Sequence, residues 1–387
     1  MKYRIDKQSG NELSVLALGC MRFPRDKAET ERIILTAIDG GINLFDTAYI
    51  YPGSEVALGE VLAKHDRRKD VFIGTKLPIT RCRSIEDVER LFNEQLRRLQ
   101  TDYIDYYFMH NIAYFGQWET LQKLGIEQWI ADKKASGQIK QIGFSYHGNS
   151  EDFLKLIDAY KWEFCLLQHN YYDPNYQAGA AGLQAAAAKD ITVMIMEPLL
   201  GGQLATGLPK QAEAVFEKLN PDLSPADWAL WWLWNKPEVT TVLSGMNSAA
   251  IVESNLRSAD KFRALAEEEL AAYDEVVDIF RQSYKVNCTS CNYCLPCPQG
   301  INIPACISAY NTSYIKGFVT GMTLYLTSTA AITKNPTSPH LCNDCGKCEK
   351  ACPQHIEIRT TLKKVSRRFE PLPLRAVLAM VRKVMSR

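Results

Sequence analysis

Long apolar stretches are missing from this sequence, and their absence excludes whole classes of protein. The 387 residues contain no run of about 18 apolar residues, which a transmembrane helix would need. The opening segment, MKYRIDKQSG, lacks the apolar core of a secretory signal, so we expect a cytoplasmic protein. The Gly-rich dinucleotide fingerprint of Rossmann domains is also missing.

Charge and cysteine are unevenly distributed along a chain whose formal net charge is only +1. Residues 285–387 carry 14 Lys and Arg against 4 Asp and Glu, whereas residues 1–284 carry 31 against 40. Nine of the 12 cysteines lie between Cys288 and Cys352. The content of 46% hydrophobic and 23% charged residues is that of a globular protein. We therefore predict two bodies that meet near residue 285.

Apolar runs alternate with amphipathic, helix-like segments throughout residues 1–284. This alternation predicts parallel βαβ units. Eight units in about 270 residues favour an α/β fold of the (β/α)8 TIM-barrel type, with a doubly wound sheet as the alternative. Residues 1–13 are expected to form a hairpin that plugs the bottom of the barrel. The strand-like runs are 15–21, 42–47, 71–76, 104–110, 141–145, 164–169, 192–197 and 240–245.

Polar residues stand at the predicted ends of three successive strands. Asp46 ends the second strand, and Tyr51 follows it. Lys76 ends the third strand and His110 ends the fourth. Singly, each is more often a cap, a packed ring or a satisfied core residue. Because strand ends meet at the carboxyl-terminal face, where barrel enzymes place their chemistry, we predict that the four form one catalytic site.

The chemistry of these four residues suits carbonyl reduction. A free tyrosine has a pKa near 10, and a neighbouring ammonium group lowers that pKa by favouring the phenolate. Lys76 would supply the ammonium group, and a buried Asp46 would keep it charged and in place. His110 would donate to the carbonyl oxygen while Tyr51 protonates it and hydride reaches the carbon.

Residues 1–284 resemble the aldo-keto reductase family. The family's Asp, Tyr, Lys and His tetrad occurs here in order, and DTAYIY carries the Tyr five residues after the Asp. IGFSYHG and LLQHNYY match the segments that hold the nicotinamide amide, MEPLLGG the pyrophosphate loop, and SGMNSAAIVESN the adenosine segment. The resemblance implies NADP or NAD, held by Met21, Ser145, Gln168, Pro198, Leu199, Gly201, Leu204, Gly245, Ser248 and Asn255.

One position departs from the family pattern. Alignment on Asn255 places Ile251 where better-known members have an Arg for the 2′-phosphate of NADP. We therefore expect weaker preference for NADPH than the family norm, unless another basic residue such as Arg257 takes this role.

Two cysteine runs dominate the C-terminal part. The second run has the C-x2-C-x2-C-x3-C-P spacing of bacterial ferredoxins, and the first is one residue shorter before its fourth Cys. Zinc sites more often pair C-x2-C with a distant second pair, so zinc is the lesser alternative, as are free thiols. We predict two [4Fe–4S] clusters bound by Cys288, Cys291, Cys294, Cys297, Cys342, Cys345, Cys348 and Cys352.

The ligand pairing follows from analogy with two-cluster ferredoxins. That analogy assigns Cys352 to the cluster of the first three cysteines and Cys297 to the cluster of Cys342, Cys345 and Cys348. Residues 311–331, between the runs, are predicted helical, which resembles the α-helical ferredoxin domains. Cys306 is left over and is expected to be a buried structural residue.

The C-terminal segment is basic and amphipathic. Apolar residues recur at Leu374, Val377, Leu378 and Val381, the spacing of one helix face. A helix that caps the ferredoxin-like domain is favoured over one that contacts a membrane surface or a partner. Nucleic acid is not expected, because no aromatic residues are interleaved with the basic ones. The predicted parts are a barrel (1–284), a ferredoxin-type domain (285–370) and a tail (371–387).

Three functions are consistent with this sequence. The first is an NAD(P)H-dependent oxidoreductase that converts aldehydes or ketones to alcohols, or the reverse, and carries two iron–sulfur clusters. The second is an electron-transfer module that serves a redox partner protein, and the third is a redox sensor. The complete tetrad favours the enzyme.

Overall fold

The computed structural model describes residues 1–331, 336–371, 374–375 and 380. The chain forms two compact units. The first contains Met1–Pro198 and Asp227–Leu265, and the second contains Leu199–Ala226 and Ala266 onward. The domain boundary expected near residue 285 lies within the second unit and stays a prediction.

The first unit is built on a closed barrel of eight parallel strands, as the sequence predicts. The strands are β3 (Leu16–Gly19), β4 (Leu44–Asp46), β5 (Phe72–Leu77), β6 (Ile104–Ile112), β7 (Ile139–Tyr146), β8 (Phe164–Gln168), β9 (Thr192–Met196) and β10 (Val239–Ser244). Each strand overlaps one of the predicted apolar runs. Their order around the barrel is β10-β3-β4-β5-β6-β7-β8-β9, so each strand pairs with its neighbour in the chain and the last pairs with the first.

A hairpin of β1 (Tyr3–Ile5) and β2 (Glu12–Ser14) precedes the barrel, as predicted. Its loop carries Asp6, whose carboxylate is 1% exposed. This carboxylate accepts hydrogen bonds from the Tyr106 hydroxyl (2.8 Å) and the Thr192 hydroxyl (2.5 Å). Thr192 is the first residue of β9. The hairpin therefore closes the amino-terminal end of the barrel, opposite the face where the strands end.

Amphipathic helices connect the strands. In α3 (Ile85–Leu99), the buried residues recur at helical spacing and face the sheet, and Ser84 caps the first turn. These buried residues are Val88, Leu91, Phe92, Gln95 and Leu99. The helices of this unit are α1 (Lys27–Asp39), α2 (Ser54–Lys64), α3 (Ile85–Leu99), α4 (Gly116–Lys123), α5 (Ile126–Ala135), α6 (Ser150–Ala159), α7 (Gly179–Ala188), α10 (Pro225–Trp234) and α11 (Ala249–Lys261). The first two residues of α10 belong to the second unit.

The second unit is helical, and its core includes Ile303, Ile307, Leu362, Val365 and Phe369. Residues 311–331 contain the end of α13 (Ile303–Ile315) and all of α14 (Phe318–Ser328), which confirms the helical prediction for this segment. Most of the apolar positions predicted for the tail lie outside the described residues. The helices are α8 (Gln203–Thr206), α9 (Lys210–Leu219), α12 (Glu267–Ser283), α13 (Ile303–Ile315), α14 (Phe318–Ser328), α15 (Lys347–Lys350) and α16 (Ile358–Phe369). Within the described part of the chain, no helix has both the length and the apolarity needed to cross a bilayer.

Candidate active site and cysteine cavities

The four predicted catalytic residues lie on neighbouring elements of the barrel. Asp46 is the last residue of β4, and Tyr51 lies in the loop that leads from it to α2. Lys76 is in β5 and His110 is in β6, each near the carboxyl end of its strand. Because β4, β5 and β6 are adjacent, these side chains converge at one edge of the barrel mouth.

Asp46 and Lys76 form a buried ion pair. The Lys76 ammonium contacts the Asp46 carboxylate directly and donates to the Thr47 carbonyl oxygen at 2.6 Å. Lys76 is 1% exposed. Burial raises the pKa of Asp46 and lowers the pKa of Lys76, and their mutual attraction opposes both shifts. The pair holds the ammonium group in one position.

Tyr51 and His110 face each other beside this ammonium group. Their ring centroids are 6.0 Å apart and the rings are nearly perpendicular, at 86°. The Lys76 Nζ lies 5.4 Å from the centroid of the Tyr51 ring. Burial holds the pKa of His110 well below its usual value, and the nearby Lys76 and His147 add to this shift. His110 is therefore neutral at neutral pH and can offer one ring N–H as a hydrogen-bond donor.

Sequence reasoning missed a buried network beneath Lys76. The Glu55 carboxylate, 2% exposed, accepts from the Thr75 hydroxyl (2.6 Å), the Gln95 amide (2.8 Å) and the Arg98 guanidinium (3.0 Å). Gln95 also donates to the Lys76 carbonyl oxygen at 3.1 Å. The network therefore supports the β5 backbone that carries the lysine.

His147 was also missed. It directly follows β7, is 7% exposed, and lies close enough to His110 to depress its pKa. Its position directly after a strand was the sequence feature that could have identified it as a site residue. The same feature identified His110 on the preceding strand.

We expect Asp46→Asn to destabilise the barrel strongly. The change leaves the buried Lys76 ammonium without its carboxylate, and removal of one partner from a buried pair costs about 3–5 kcal/mol. Urea unfolding of the variant measures this cost. The double variant Asp46→Asn/Lys76→Met should recover part of it.

The control for this prediction is Glu151→Gln, in the exposed pair Lys155–Glu151. An exposed pair contributes about 0–1 kcal/mol, so this variant should unfold much like the wild type. Equal stability losses for the two variants would contradict the role given to the buried pair.

Three predicted cofactor contacts are buried polar residues that lie near the carboxyl end of a barrel strand or are hydrogen-bonded to one. Ser145 (1% exposed) is in β7 and accepts from the Asn111 N–H at 2.7 Å. Gln168 (4% exposed) ends β8 and accepts from the Gln177 amide at 3.3 Å. Asn255 (4% exposed) is in α11 and donates to Ser244, the last residue of β10, at 3.0 Å. Such hydroxyl and amide groups suit a carboxamide and ribose ligand.

The remaining predicted cofactor contacts belong partly to the first unit and partly to the second. Met21, Pro198, Gly245 and Ser248 belong to the first unit, and Ser248 caps α11 by accepting from the Ile251 N–H at 3.3 Å. Leu199, Gly201 and Leu204 belong to the second unit. The Ile251 side chain is 41% exposed in the first turn of α11.

Two cavities in the second unit are lined by cysteines. The inner cavity is bordered by Cys288, Cys291, Cys294 and Cys352. The outer cavity, of about 190 Å³, is bordered by Cys297, Cys342, Cys345 and Cys348, and Cys294 borders it as well. Burial raises the pKa of Cys288 to about 12, with a further contribution from the neighbouring Cys291 and Cys352. These two sets of four cysteines match the ligand pairing that the analogy with two-cluster ferredoxins predicts.

The donor set fits iron–sulfur clusters. A cubane takes one thiolate at each iron, so four sulfurs surround a space larger than a single ion. Among residues 1–331 and 336–371, no three His, Cys, Asp or Glu side chains converge on a point suited to one metal ion. Cys306 lines neither cavity and is fully buried, as expected for a structural residue.

Comparisons with solved structures identify proteins of the same fold. One is the aldo-keto reductase AKR11C1 from Bacillus halodurans in its holo form, with a TM-score of 0.60 and 24% identity over 71% of this chain and 96% of that one. Another is an aldo-keto reductase from Klebsiella pneumoniae in complex with NADPH, with a TM-score of 0.59 and 22% identity over 72% and 95% of the two chains.

Sequence relatives carry oxidoreductase names. The uncharacterized oxidoreductase YrpG of Bacillus subtilis is 28% identical over 305 residues, which cover 67% of this chain and 91% of that protein. The 6-dehydroglucose reductase of Novosphingobium aromaticivorans is 26% identical over 271 residues, 63% of this chain and 86% of that protein.

Family comparisons match both parts of the chain. Residues 287–357 match the 4Fe-4S dicluster domain, which agrees with the two cysteine-lined cavities. Residues 15–278, more than half of the chain, match the family described as Aldo/keto reductase. This chain is an oxidoreductase with a C-terminal 4Fe-4S dicluster domain, and it belongs to the aldo/keto reductase family.

Proposed function

We propose that this protein interconverts carbonyls and alcohols with a nicotinamide dinucleotide and also holds two [4Fe–4S] clusters. The observation that carries the catalytic part is the convergence of a hydroxyl, an ammonium group and a neutral imidazole at one barrel edge. The Lys76 Nζ lies 5.4 Å from the Tyr51 ring centroid, and the His110 and Tyr51 ring centroids are 6.0 Å apart.

Each residue of the site has a separate task. Tyr51 donates its phenolic proton to the carbonyl oxygen, and the ammonium group of Lys76 stabilises the phenolate that remains. His110, neutral because it is buried, donates a hydrogen bond to the same oxygen and polarises the carbonyl. Asp46 positions Lys76. In the direction of alcohol oxidation, the phenolate takes the proton back.

The nicotinamide supplies hydride to the carbonyl carbon when it is bound. Ser145 and Gln168 would orient its carboxamide, and Asn255 and Ser248 would hold the adenosine end. Pro198, Leu199, Gly201 and Leu204 would cover the pyrophosphate, with Met21 and Gly245 completing the contacts. The NADPH complex of the Klebsiella relative supports the choice of ligand class.

We expect a weaker preference for NADPH over NADH than is normal in the family. Ile251, 41% exposed in the first turn of α11, offers no charge to a 2′-phosphate, and Arg257 is the nearest basic residue after it in that helix. The ratio of kcat/KM for the two cofactors tests this prediction. A preference above about a thousandfold, about 4 kcal/mol, would show that another cation serves the phosphate.

A designed variant sharpens this test. Ile251→Arg should raise the preference for NADPH, since a guanidinium binds phosphate through paired hydrogen bonds. Ile251→Gln, which introduces hydrogen-bonding groups without charge, is the control and should change the ratio little.

The clusters would be held by the two cysteine sets described above. Cys288, Cys291, Cys294 and Cys352 would bind one, and Cys297, Cys342, Cys345 and Cys348 the other. None of the twelve cysteines, all within the described residues, forms a disulfide, which fits a reducing compartment such as the cytoplasm. A [4Fe–4S] cluster transfers one electron at a time. A redox partner protein would therefore exchange electrons with it.

One anaerobic experiment tests the proposal as a whole. The purified protein is mixed with NADPH or NADH and a panel of aldehydes and ketones, and nicotinamide oxidation is followed by absorbance. Iron and sulfide are determined on the same sample. Turnover with at least one carbonyl, together with bound iron, is expected. Bound iron without turnover on any carbonyl or alcohol would favour a dedicated electron carrier or sensor instead.

A further inference from the structure

One face of the second unit brings a cysteine to the surface. Of the twelve cysteines, all within the described residues, Cys345 is the exposed one. Beside it on the outer cavity stand Leu295, 36% exposed, and the exposed Pro296. Lys347 and Lys350, at the two ends of α15, are exposed as well. We call these five residues the outer face.

Positive charge on the outer face is not compensated locally. The two nearby acids are already engaged: Asp344 pairs with Lys363 at 3.0 Å, and Glu349 pairs with Arg359 at 2.8 Å. Within the described part of the chain, Lys347 and Lys350 have no ion pair. Both charges are therefore exposed on the single turn of α15, which begins two residues after Cys345.

The residues around the inner cavity differ from those around the outer cavity. Thr289, next to Cys288, is 1% exposed. Gly201 packs against it so closely that a Cβ at residue 201 would lie 2.3 Å from the Thr289 carbonyl oxygen. Gly201 also has a φ of +65°, which side-chain-bearing residues rarely adopt. The loop at 199–202 thus packs against the chain next to Cys288. The four cysteines of the inner cavity are all partly buried, whereas Cys345 of the outer set is exposed.

From this arrangement we infer that the outer face docks an acidic one-electron carrier protein. The inference rests on the clusters proposed above. The lysines would attract the acidic rim of the carrier, and Leu295 with Pro296 would form the small apolar centre that transient redox contacts use. The outer set of cysteines would hold the cluster that accepts one electron, and the carrier's reduced centre would supply that electron. No bond is made or broken.

Stopped-flow reduction by an acidic flavodoxin tests the inference. The probe is prepared as the FMN hydroquinone, which becomes the semiquinone as it loses one electron, and its absorbance is followed without oxygen. Lys347→Glu/Lys350→Glu should slow the second-order rate at least tenfold at low ionic strength, because the charge that steers encounter is reversed. In 0.5 M salt the difference should shrink, since screening shortens the reach of these charges.

The matched control is Lys285→Glu/Lys316→Glu. It makes the same change in net charge on exposed lysines of the second unit that border neither cavity. This variant should react like the wild type. Equal slowing in both variants, or no slowing in the outer-face variant, would overturn the inference.

Dithionite and iron content separate this inference from the proposed function. A wild-type protein without iron would end the cluster proposal itself. A protein whose iron is reduced by dithionite, yet whose wild type does not react with flavodoxin, would keep the clusters and overturn the docking face. Retained iron and unchanged dithionite reduction in the outer-face variant, with slow flavodoxin reduction, is the supporting result.

Discussion

Replacement of Tyr51 by Phe should lower kcat by about 10²–10⁴, the usual contribution of a positioned general acid. The change removes only the hydroxyl, so the ring should keep its edge-on contact with His110 and its place beside Lys76. Cofactor affinity should be preserved, because Tyr51 is not among the predicted cofactor contacts. Steady-state kinetics and cofactor titration of the variant measure the two effects.

Tyr49→Phe is the matched control for this experiment. Tyr49 lies in the same loop, but its hydroxyl donates to Glu94 on α3 at 2.8 Å rather than facing the tetrad. Loss of that hydroxyl should leave kcat close to the wild-type value. If Tyr51→Phe turned over at the wild-type rate, another group would have to be the acid.

Replacement of Cys345 by Ala should remove one of two clusters and destabilise the second unit. The wild type should hold about eight irons, and the variant about four. Ligation that exists only in the folded state adds its binding free energy to folding, so loss of a cluster lowers the melting temperature of this unit. The barrel has its own core, so it should remain folded and keep binding nicotinamide through Ser145 and Gln168, which belong to the first unit.

Cys306→Ala separates cluster loss from cysteine loss. Cys306 is buried in the same unit but lines neither cavity, so this variant should keep its full iron content. Iron and sulfide analysis with thermal melts, all without oxygen, provides the comparison. A full iron content in Cys345→Ala, or zinc in place of iron, would contradict the prediction.

A further outcome of this variant concerns coupling between the clusters and catalysis. If Cys345→Ala stops carbonyl turnover while the barrel stays folded and still binds the cofactor, the clusters take part in the reaction. Unchanged turnover would assign them a structural or electron-exchange role.

Local sequence patterns were enough to predict the barrel, the catalytic site and the cysteine clusters of this protein. Strand periodicity was enough to predict the barrel, because apolar runs between amphipathic helices have few other ways to be buried. Once the barrel was predicted, Asp46, Lys76 and His110 had to meet, since parallel strands end at one face. The close spacing within each cysteine run likewise predicted clusters, because a three-residue interval is a local property.

Only the tertiary structure determined which residues far apart in the sequence contact each other. The Glu55 network supports Lys76 through Gln95 and Arg98, which lie 40 and 43 residues further along the chain, and no short-range pattern records such contacts. The location of Cys352 beside Cys288 depends on how the helices between them pack. Cys345 is exposed whereas Thr289 is buried, and this difference depends on how distant segments pack around each residue rather than on the local sequence.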